Sequence, residues 1–255
     1  HVPTSFGEKT LRIGDRGTNP LDQWPDPFTF VHYPSRQNLA YQDIRNMNRT
    51  YPGRENGTLT ERASYAIMEL IRKENIDLSI DVHEASIMYP VVATYVAHER
   101  SFDIAMMAAM MLTATSFDMK CESSPKGLRG LSHREWGDFS DTLAVLMETP
   151  EPFIDRVVGP MTEELFTEGK DEFLATAAEH GLTYVPYNLE FGSPLWYRCG
   201  RHLSGALEVI NQMNQFYPEK EVIVEWPTYE DLKEHDCGYF FHDPDKADPN
   251  FVFEI

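Results

Sequence analysis

Ile76-Asp77-Leu78-Ser79-Ile80-Asp81-Val82-His83-Glu84 decides the fold. Apolar and polar residues alternate along it, and β-branched side chains fill several apolar places. That pattern predicts a strand delivering His83 and Glu84 at its end. Just before it, Ala63, Ile67, Leu70 and Ile71 recur at helical spacing, so residues 59–75 read as an amphipathic helix. Thr58 or Thr60 can cap it, and Glu61 stands three residues after Thr58 as in a capping box.

The same alternation continues along the chain. Residues 90–97 and 118–123 read as strands, with a Met-rich helix over 100–117 between them. Residues 142–147 read as a strand ending at Glu148 and stopped by Thr149-Pro150, and helices follow at 162–180 and 197–216. The segment 124–141, with Gly127, Gly130 and Gly137, reads as a loop. Residues 1–57 are rich in turn formers such as Asn19-Pro20, Pro25-Asp26-Pro27 and Pro52-Gly53, around a short strand at 29–32. The Pro- and Asp-rich end, 217–255, reads as irregular. Strands alternating with helices predict an α/β fold: a central, mostly parallel or mixed sheet flanked by helices. Ligands gather beyond the carboxyl ends of such strands.

A chain of 255 residues with 42% hydrophobic residues can bury one sizeable core, and it reads as a single domain over 1–255. Its net charge of −19 repels phosphate backbones and anionic lipids, which excludes nucleic acid as a natural partner. Three cysteines without a CxxC pair leave room for one bridge but not for a disulfide scaffold. No apolar run reaches the ~18 residues that span a bilayer, so no transmembrane segment is expected in this chain. The first residue is His1 rather than Met, and Asn48-Arg-Thr50 and Asn56-Gly-Thr58 are sequons that matter only in a secreted eukaryotic protein. The compartment, cytoplasmic or exported, therefore depends on what precedes His1.

Three clusters carry chemistry. A neutral imidazole at a strand end is a good zinc ligand, and Asp81 lies two residues before His83, on the same face. Asp81 or a backbone carbonyl can fix the tautomer of His83; the alternative is a hydrogen-bonded structural histidine. Leu146-Met147-Glu148 brings a carboxylate to a cleft mouth, where partial burial favours general acid/base work; the alternative is an N-cap or a surface acid after a strand. Arg45 and Arg49, with Asn46 and Asn48 between them, form a local cluster suited to a carboxylate, against the alternative of pairing with surface acids. The segment Gly130-Leu-Ser-His-Arg-Glu-Trp-Gly137 is equally polar, and its alternative is a folded loop whose charges pair internally.

Asn46-Met-Asn-Arg-Thr-Tyr-Pro-Gly53 resembles the Asp-Leu-Asn-Arg-x-Phe-Pro-Gly signature of the succinylglutamate desuccinylase/aspartoacylase-like family, within the zinc carboxypeptidase superfamily. Asp81-Val-His83 is similar to that family's Asp-Leu-His, and Leu146-Met-Glu148-Thr-Pro to its strand-end catalytic glutamate. The resemblance covers roughly residues 12–216. It implies a zinc-carboxypeptidase-like fold with zinc as cofactor and His83 as a zinc ligand. It also implies Asn48 and Arg49 on a substrate carboxylate, and Glu148 as the general acid/base. Arg45 would polarise the scissile carbonyl, and Arg134 would supply a second carboxylate contact. Two positions depart from the family. Its His-x-x-Glu ligand pair precedes the Asn-Arg motif, yet residues 1–48 contain none, so the pair lies upstream of His1 or the protein is a metal-free relative. Asn46 also replaces an aspartate.

The expected activity is zinc-dependent hydrolysis of an amide bond next to a free carboxylate, on a peptide C-terminus or an N-acyl amino acid. The alternative is a metal-free module of the same fold that binds small carboxylates. A serine or cysteine hydrolase fits poorly, because no Gly-x-Ser-x-Gly elbow occurs.

Overall fold

The computed structural model describes residues 2–4, 7–9, 29–153 and 162–240. The expectations for Asn19-Pro20, for 25–27 and for 241–255 fall outside these residues. Among the described residues the strands are β1 (Val2–Thr4), β2 (Gly7–Lys9), β3 (Phe30–Val31), β4 (Asn38–Leu39), β5 (Leu78–Ala85), β6 (Thr94–Ala97), β7 (Lys120–Ser123) and β8 (Leu143–Pro150). The α-helices are α1 (Leu59–Lys73), α2 (Phe102–Thr115), α3 (Ser132–Phe139), α4 (Glu163–Glu168), α5 (Glu172–Glu179), α6 (Leu195–Phe216), α7 (Tyr229–His235) and α8 (Cys237–Phe240).

The architecture is α/β. Four strands form the central sheet in the order β5-β8-β6-β7, and helices flank it. The Leu143 N–H donates to Asp77 O, and the Glu151 N–H to Ala85 O. Both bonds span the same sequence offset, so β5 and β8 run parallel. The His98 N–H donates to Ala144 O, tying the end of β6 to the start of β8 as antiparallel neighbours do. The sheet is therefore mixed. Two-stranded antiparallel pairs, β1 with β2 and β3 with β4, complete the strands.

Contacts divide the chain into two compact units. The first comprises His1–His83, Tyr95–Met107 and Lys120–Met147. Its core gathers Tyr51, Met68, Ile71, Trp136 and Ala144, with Tyr51 edge-on to Trp136 at 5.4 Å. α1 starts where the sequence places it. Thr58 caps it, the Glu61 side chain returns to the Thr58 N–H at 2.8 Å, and Met68 and Ile71 on one face are buried. Burial of such side chains contributes about 1.5–3 kcal/mol each.

The second unit comprises Glu84–Thr94, Ala108–Met119 and Glu148–Ile255. Phe191, Trp196, Tyr197 and Tyr229 pack there edge-on or tilted, with centroids 5.3–5.9 Å apart. The Arg201 guanidinium lies 4.8 Å from the Phe117 ring centroid and 5.0 Å from that of Tyr197.

Several boundaries differ from expectation, each for a local reason. The strand expected over 90–97 begins at Thr94, because Ala93 adopts a positive φ of 50°. β8 runs on through Thr149 and Pro150, since the next N–H, of Glu151, still finds the β5 carbonyl of Ala85. The helix expected over 162–180 is two helices, the second freshly capped by Asp171 on the Leu174 N–H. The end expected to be irregular contains α7, which Thr228 and Asp231 open with a capping box. The loop expected over 124–141 contains α3.

Candidate functional site

The site of the first unit is built on the Asn46–Gly53 signature. Tyr41–Arg45 and Met47–Arg49 are short 3₁₀ turns, and the Asn46 side chain caps the second by accepting from the Asn48 N–H at 3.0 Å. An aspartate could accept the same bond, so the Asn46 departure preserves the turn. Gly53 then turns the chain with φ +74° against the first turns of α1. A Cβ there would lie 2.2 Å from the Glu61 carbonyl oxygen, so only glycine fits.

This turn is strapped to the start of α3. Asn48 Oδ1 accepts from the Ser132 N–H at 2.7 Å, satisfying one of the helix's open donors. The Tyr51 N–H donates to Gly130 O at 3.2 Å. Arg49 is half-buried and donates from Nη1 to the Asn48 carbonyl at 2.5 Å. Arg45 closes the preceding turn, also half-buried.

Asp81 is the hub. Its Oδ2 accepts from His83 Nε2 at 3.1 Å and from the Ser132 hydroxyl at 2.5 Å. Burial alone would raise the Asp81 carboxyl. The His83 hydrogen bond and charge, the Ser132 hydrogen bond and the His133 charge outweigh it and hold the group below its ordinary value. Asp81 is therefore a carboxylate, and it takes the Nε2–H of His83. Nδ1 then stands on the opposite edge of the ring. His133 is buried beside Ser124, with 2.8 Å between Nδ1 and the hydroxyl. Burial first, then the charges of Arg134, Arg49 and His83 against the opposing pull of Asp81, push His133 down to about 3. It is neutral near pH 7.

The remaining expected residues separate. Arg134 is 2% exposed, and its Nη2 donates to Glu99 at 2.5 Å and to Asp138 at 2.8 Å, while Nη1 holds the Ser124 carbonyl. Arg129 in turn binds Asp138 and the fully buried Glu135, both at 2.7 Å. The charges of residues 124–141 pair with one another and with Glu99 and Arg100, and Arg134 is held by Glu99, Asp138 and the Ser124 carbonyl. Beside them lies an open depression of about 370 Å³ lined by His98, Glu99, Lys126, Arg129, Arg134 and Asp138. Its cations are matched by acids: Lys126 pairs with Glu99, and both arginines pair with Asp138.

Glu148 belongs to the second unit and is half-buried on β8, the strand next to β5 in the sheet. Glu84, the residue after His83, is gripped by Arg198 through two bonds of 2.6 and 2.8 Å. Thr149, next to Glu148, bonds His202 at 2.8 Å. The sequence reading missed Ser132, Arg198 and His202. Ser132 had a signal, the Ser-x-x-Glu spacing of Ser132 and Glu135 that accompanies helix starts. Arg198 and His202 had none, because their partners lie 114 and 53 residues away.

His83 has the chemistry of a metal ligand: a half-buried imidazole oriented by a carboxylate. One donor does not make a zinc site, which needs about three protein ligands. Among the described residues no group of three or more His, Cys, Asp or Glu side chains is placed to hold a metal. Among these residues, too, no helix is long and apolar enough to cross a membrane. Compared with known proteins, the chain matches no family model, no curated protein and no solved structure.

Proposed function

We propose that this protein hydrolyses an amide bond next to a free carboxylate, as a carboxypeptidase or an N-acyl amino acid deacylase of the succinylglutamate desuccinylase/aspartoacylase type. The observation that carries the proposal is the Asp81–His83 pair on β5, together with Asn48 and Arg49 strapped to the same α3 terminus that holds Ser132 on Asp81. Arg49 grips the substrate carboxylate through its guanidinium, and Asn48 fixes the turn that presents it. Glu148 takes a proton from the attacking water and returns it to the leaving amine. His83 would be one ligand of a zinc ion, which when bound would polarise the scissile carbonyl and lower the pKa of a bound water.

Replacing Arg49 tests the carboxylate grip. A charge-assisted Arg–carboxylate pair is worth ~1.5–3 kcal/mol. Arg49→Ala should therefore raise KM for N-acyl amino acids or short peptides about 10–100-fold, with the unfolding midpoint unchanged. Normal turnover at low substrate by the variant would remove Arg49 from the site.

A second reading is a metal-free module that binds small carboxylates through Arg49: among the described residues no group of three or more His, Cys, Asp or Glu side chains is placed to hold a metal. Zinc content after dialysis separates the two. Without added metal, residues 1–255 are expected to hold zinc weakly, because a site needs about three protein ligands and the described residues assemble no such group. Tightly held, stoichiometric zinc would refute the donor count and reveal an unusual ligand set. Carboxylate binding with no hydrolysis under zinc-replete conditions would favour the module.

A further inference from the structure

Between β3 and β4 the chain turns back on itself, and two side chains of that hairpin reach the turn that carries Arg49 and the segment that leads into α3. The His32 N–H donates to Gln37 O at 2.8 Å, and the Arg36 N–H to His32 O at 2.9 Å. His32 is fully buried, and its Nε2 lies 2.6 Å from the Tyr51 carbonyl oxygen. A carbonyl oxygen only accepts, so Nε2 carries the hydrogen. Burial, chiefly, holds the imidazole below its ordinary value, so the ring is neutral near pH 7. Nδ1 then accepts from the Ser35 hydroxyl at 2.6 Å, and that oxygen accepts from the Gln37 N–H at 3.2 Å. Gln37 turns its side-chain amide to the other segment. Its Nε2 donates to Gly127 O at 2.8 Å, and its Oε1 accepts from the Arg129 N–H at 3.0 Å.

We propose that this hairpin is a clamp on the Arg49 turn, and that His32 and Gln37 are positioning residues of the carboxylate site. The proposal rests on the reading in which Arg49 grips a carboxylate.

Tyr51 stands two residues after Arg49, and its backbone groups bond in two directions. Its carbonyl takes His32, while its N–H donates to Gly130 O at 3.2 Å. Gly130 follows Arg129, whose N–H Gln37 holds. His32, Tyr51, Gly130, Arg129 and Gln37 are therefore joined in one closed ring of hydrogen bonds and short chain segments. The bond from the Ser132 N–H to Asn48 Oδ1 lies beside it, at 2.7 Å. Two segments held only by the bonds at 48–51 and 130–132 could hinge about them. The hairpin supplies the third side and removes that freedom. A guanidinium on a turn already fixed has less motion to lose when a carboxylate binds, and so binds it more tightly.

Two substitutions at one position separate the clamp from general packing. His32→Gln and His32→Asn both put an amide in place of the imidazole, but glutamine extends to the place of Nε2 whereas asparagine stops near that of Nδ1. The full chain is titrated with N-acetylalanine, and amide hydrogen exchange is followed residue by residue. His32→Gln should bind within about twofold of the parent, and His32→Asn about 2–10-fold more weakly, the effect of one neutral hydrogen bond. Gln37→Ala, at a half-buried position, should weaken binding by a similar factor. In His32→Asn and Gln37→Ala the Tyr51 and Ser132 amides should exchange faster than in the parent, while the Met68 amide in α1 keeps its rate.

Arg49→Ala is titrated alongside. If it binds N-acetylalanine like the parent, the carboxylate reading falls, and the positioning role falls with it. If Arg49→Ala loses binding while His32→Asn and Gln37→Ala bind like the parent, the clamp alone is wrong. Equal weakening by His32→Gln and His32→Asn would overturn the role of the Nε2 bond. Exchange that quickens at Met68 as much as at Tyr51 and Ser132 would also overturn the proposal, because the substitutions would then loosen the whole unit rather than the turn.

Discussion

Glu148→Gln is expected to lower kcat by about 10²–10⁴-fold, the range that a positioned general acid/base contributes. The substitution keeps the size of the side chain, exchanges one acceptor oxygen for an amide donor, and removes the charge and the ability to take up and release a proton. β8 is anchored on both sides of this position. Leu143 to Met147 are buried, and the Glu151 N–H still pairs with Ala85 after the change. The fold should therefore be unaffected, with the urea midpoint unchanged. Carboxylate affinity should also hold, since that is assigned to Arg49. The measurement is hydrolysis of a panel of N-acyl amino acids and peptides with free C-termini, alongside binding of a product carboxylate. Equal kcat in the two proteins would show that Glu148 is no acid/base. Loss of binding with loss of rate would mean that the variant had disturbed the pocket instead.

Local patterns made much of this fold legible in the sequence. α1 could be placed to its cap because Thr58 and Glu61 lie within one turn and need no distant partner. β5 could be placed because its side chains alternate. The Asp81–His83 contact was legible because it joins residues two apart on one face of a strand. What was hidden rests on distant partners. α3 was concealed by Gly130 and Gly137 around a polar run. Gly137 is needed inside it because a Cβ would lie 2.3 Å from the His98 ring, a fact of packing rather than of local propensity. For Arg134, pairing within a folded loop stood only as the alternative to the carboxylate contact that the resemblance implies, and the sequence named no partner. Only the fold reveals Glu99, 35 residues away, and the carbonyl of Ser124 on either side of it. The grip of Arg198 on Glu84 is a third case, since nothing around Glu84 in the sequence names its partner.

Gly130→Ala is expected to destabilise the protein by about 3–5 kcal/mol and to weaken carboxylate binding in whatever remains folded. Gly130 has φ +87°, where an L side chain is strained by roughly 1–3 kcal/mol. A Cβ there would lie 2.2 Å from the Arg49 carbonyl oxygen, 2.5 Å from its carbon and 2.9 Å from its Cα. All three are backbone atoms, so no rotamer change relieves the clash, and the strap between 46–51 and 130–132 must open. Opening it strains the Gly130 N–H bond to the fully buried Glu135 at 2.9 Å and the Tyr51 bond to Gly130 O. A bond to a buried carboxylate is worth about 1.5–3 kcal/mol, and these costs overlap rather than add. The control is Gly127→Ala in the same segment, where a Cβ would meet nothing within 4 Å and the change should stay within about 0.5 kcal/mol. Urea unfolding of both variants, with product-carboxylate binding measured on each, decides the matter. If Gly130→Ala unfolds with the Gly127→Ala midpoint, the strap does not hold the loop on Arg49. If it is destabilised yet binds carboxylate as tightly as the parent, the strap supports the fold without shaping the pocket. The expected result is that both losses occur together, because Asn48, Arg49 and Ser132 are fixed by one short set of backbone bonds that the added methyl group forces apart.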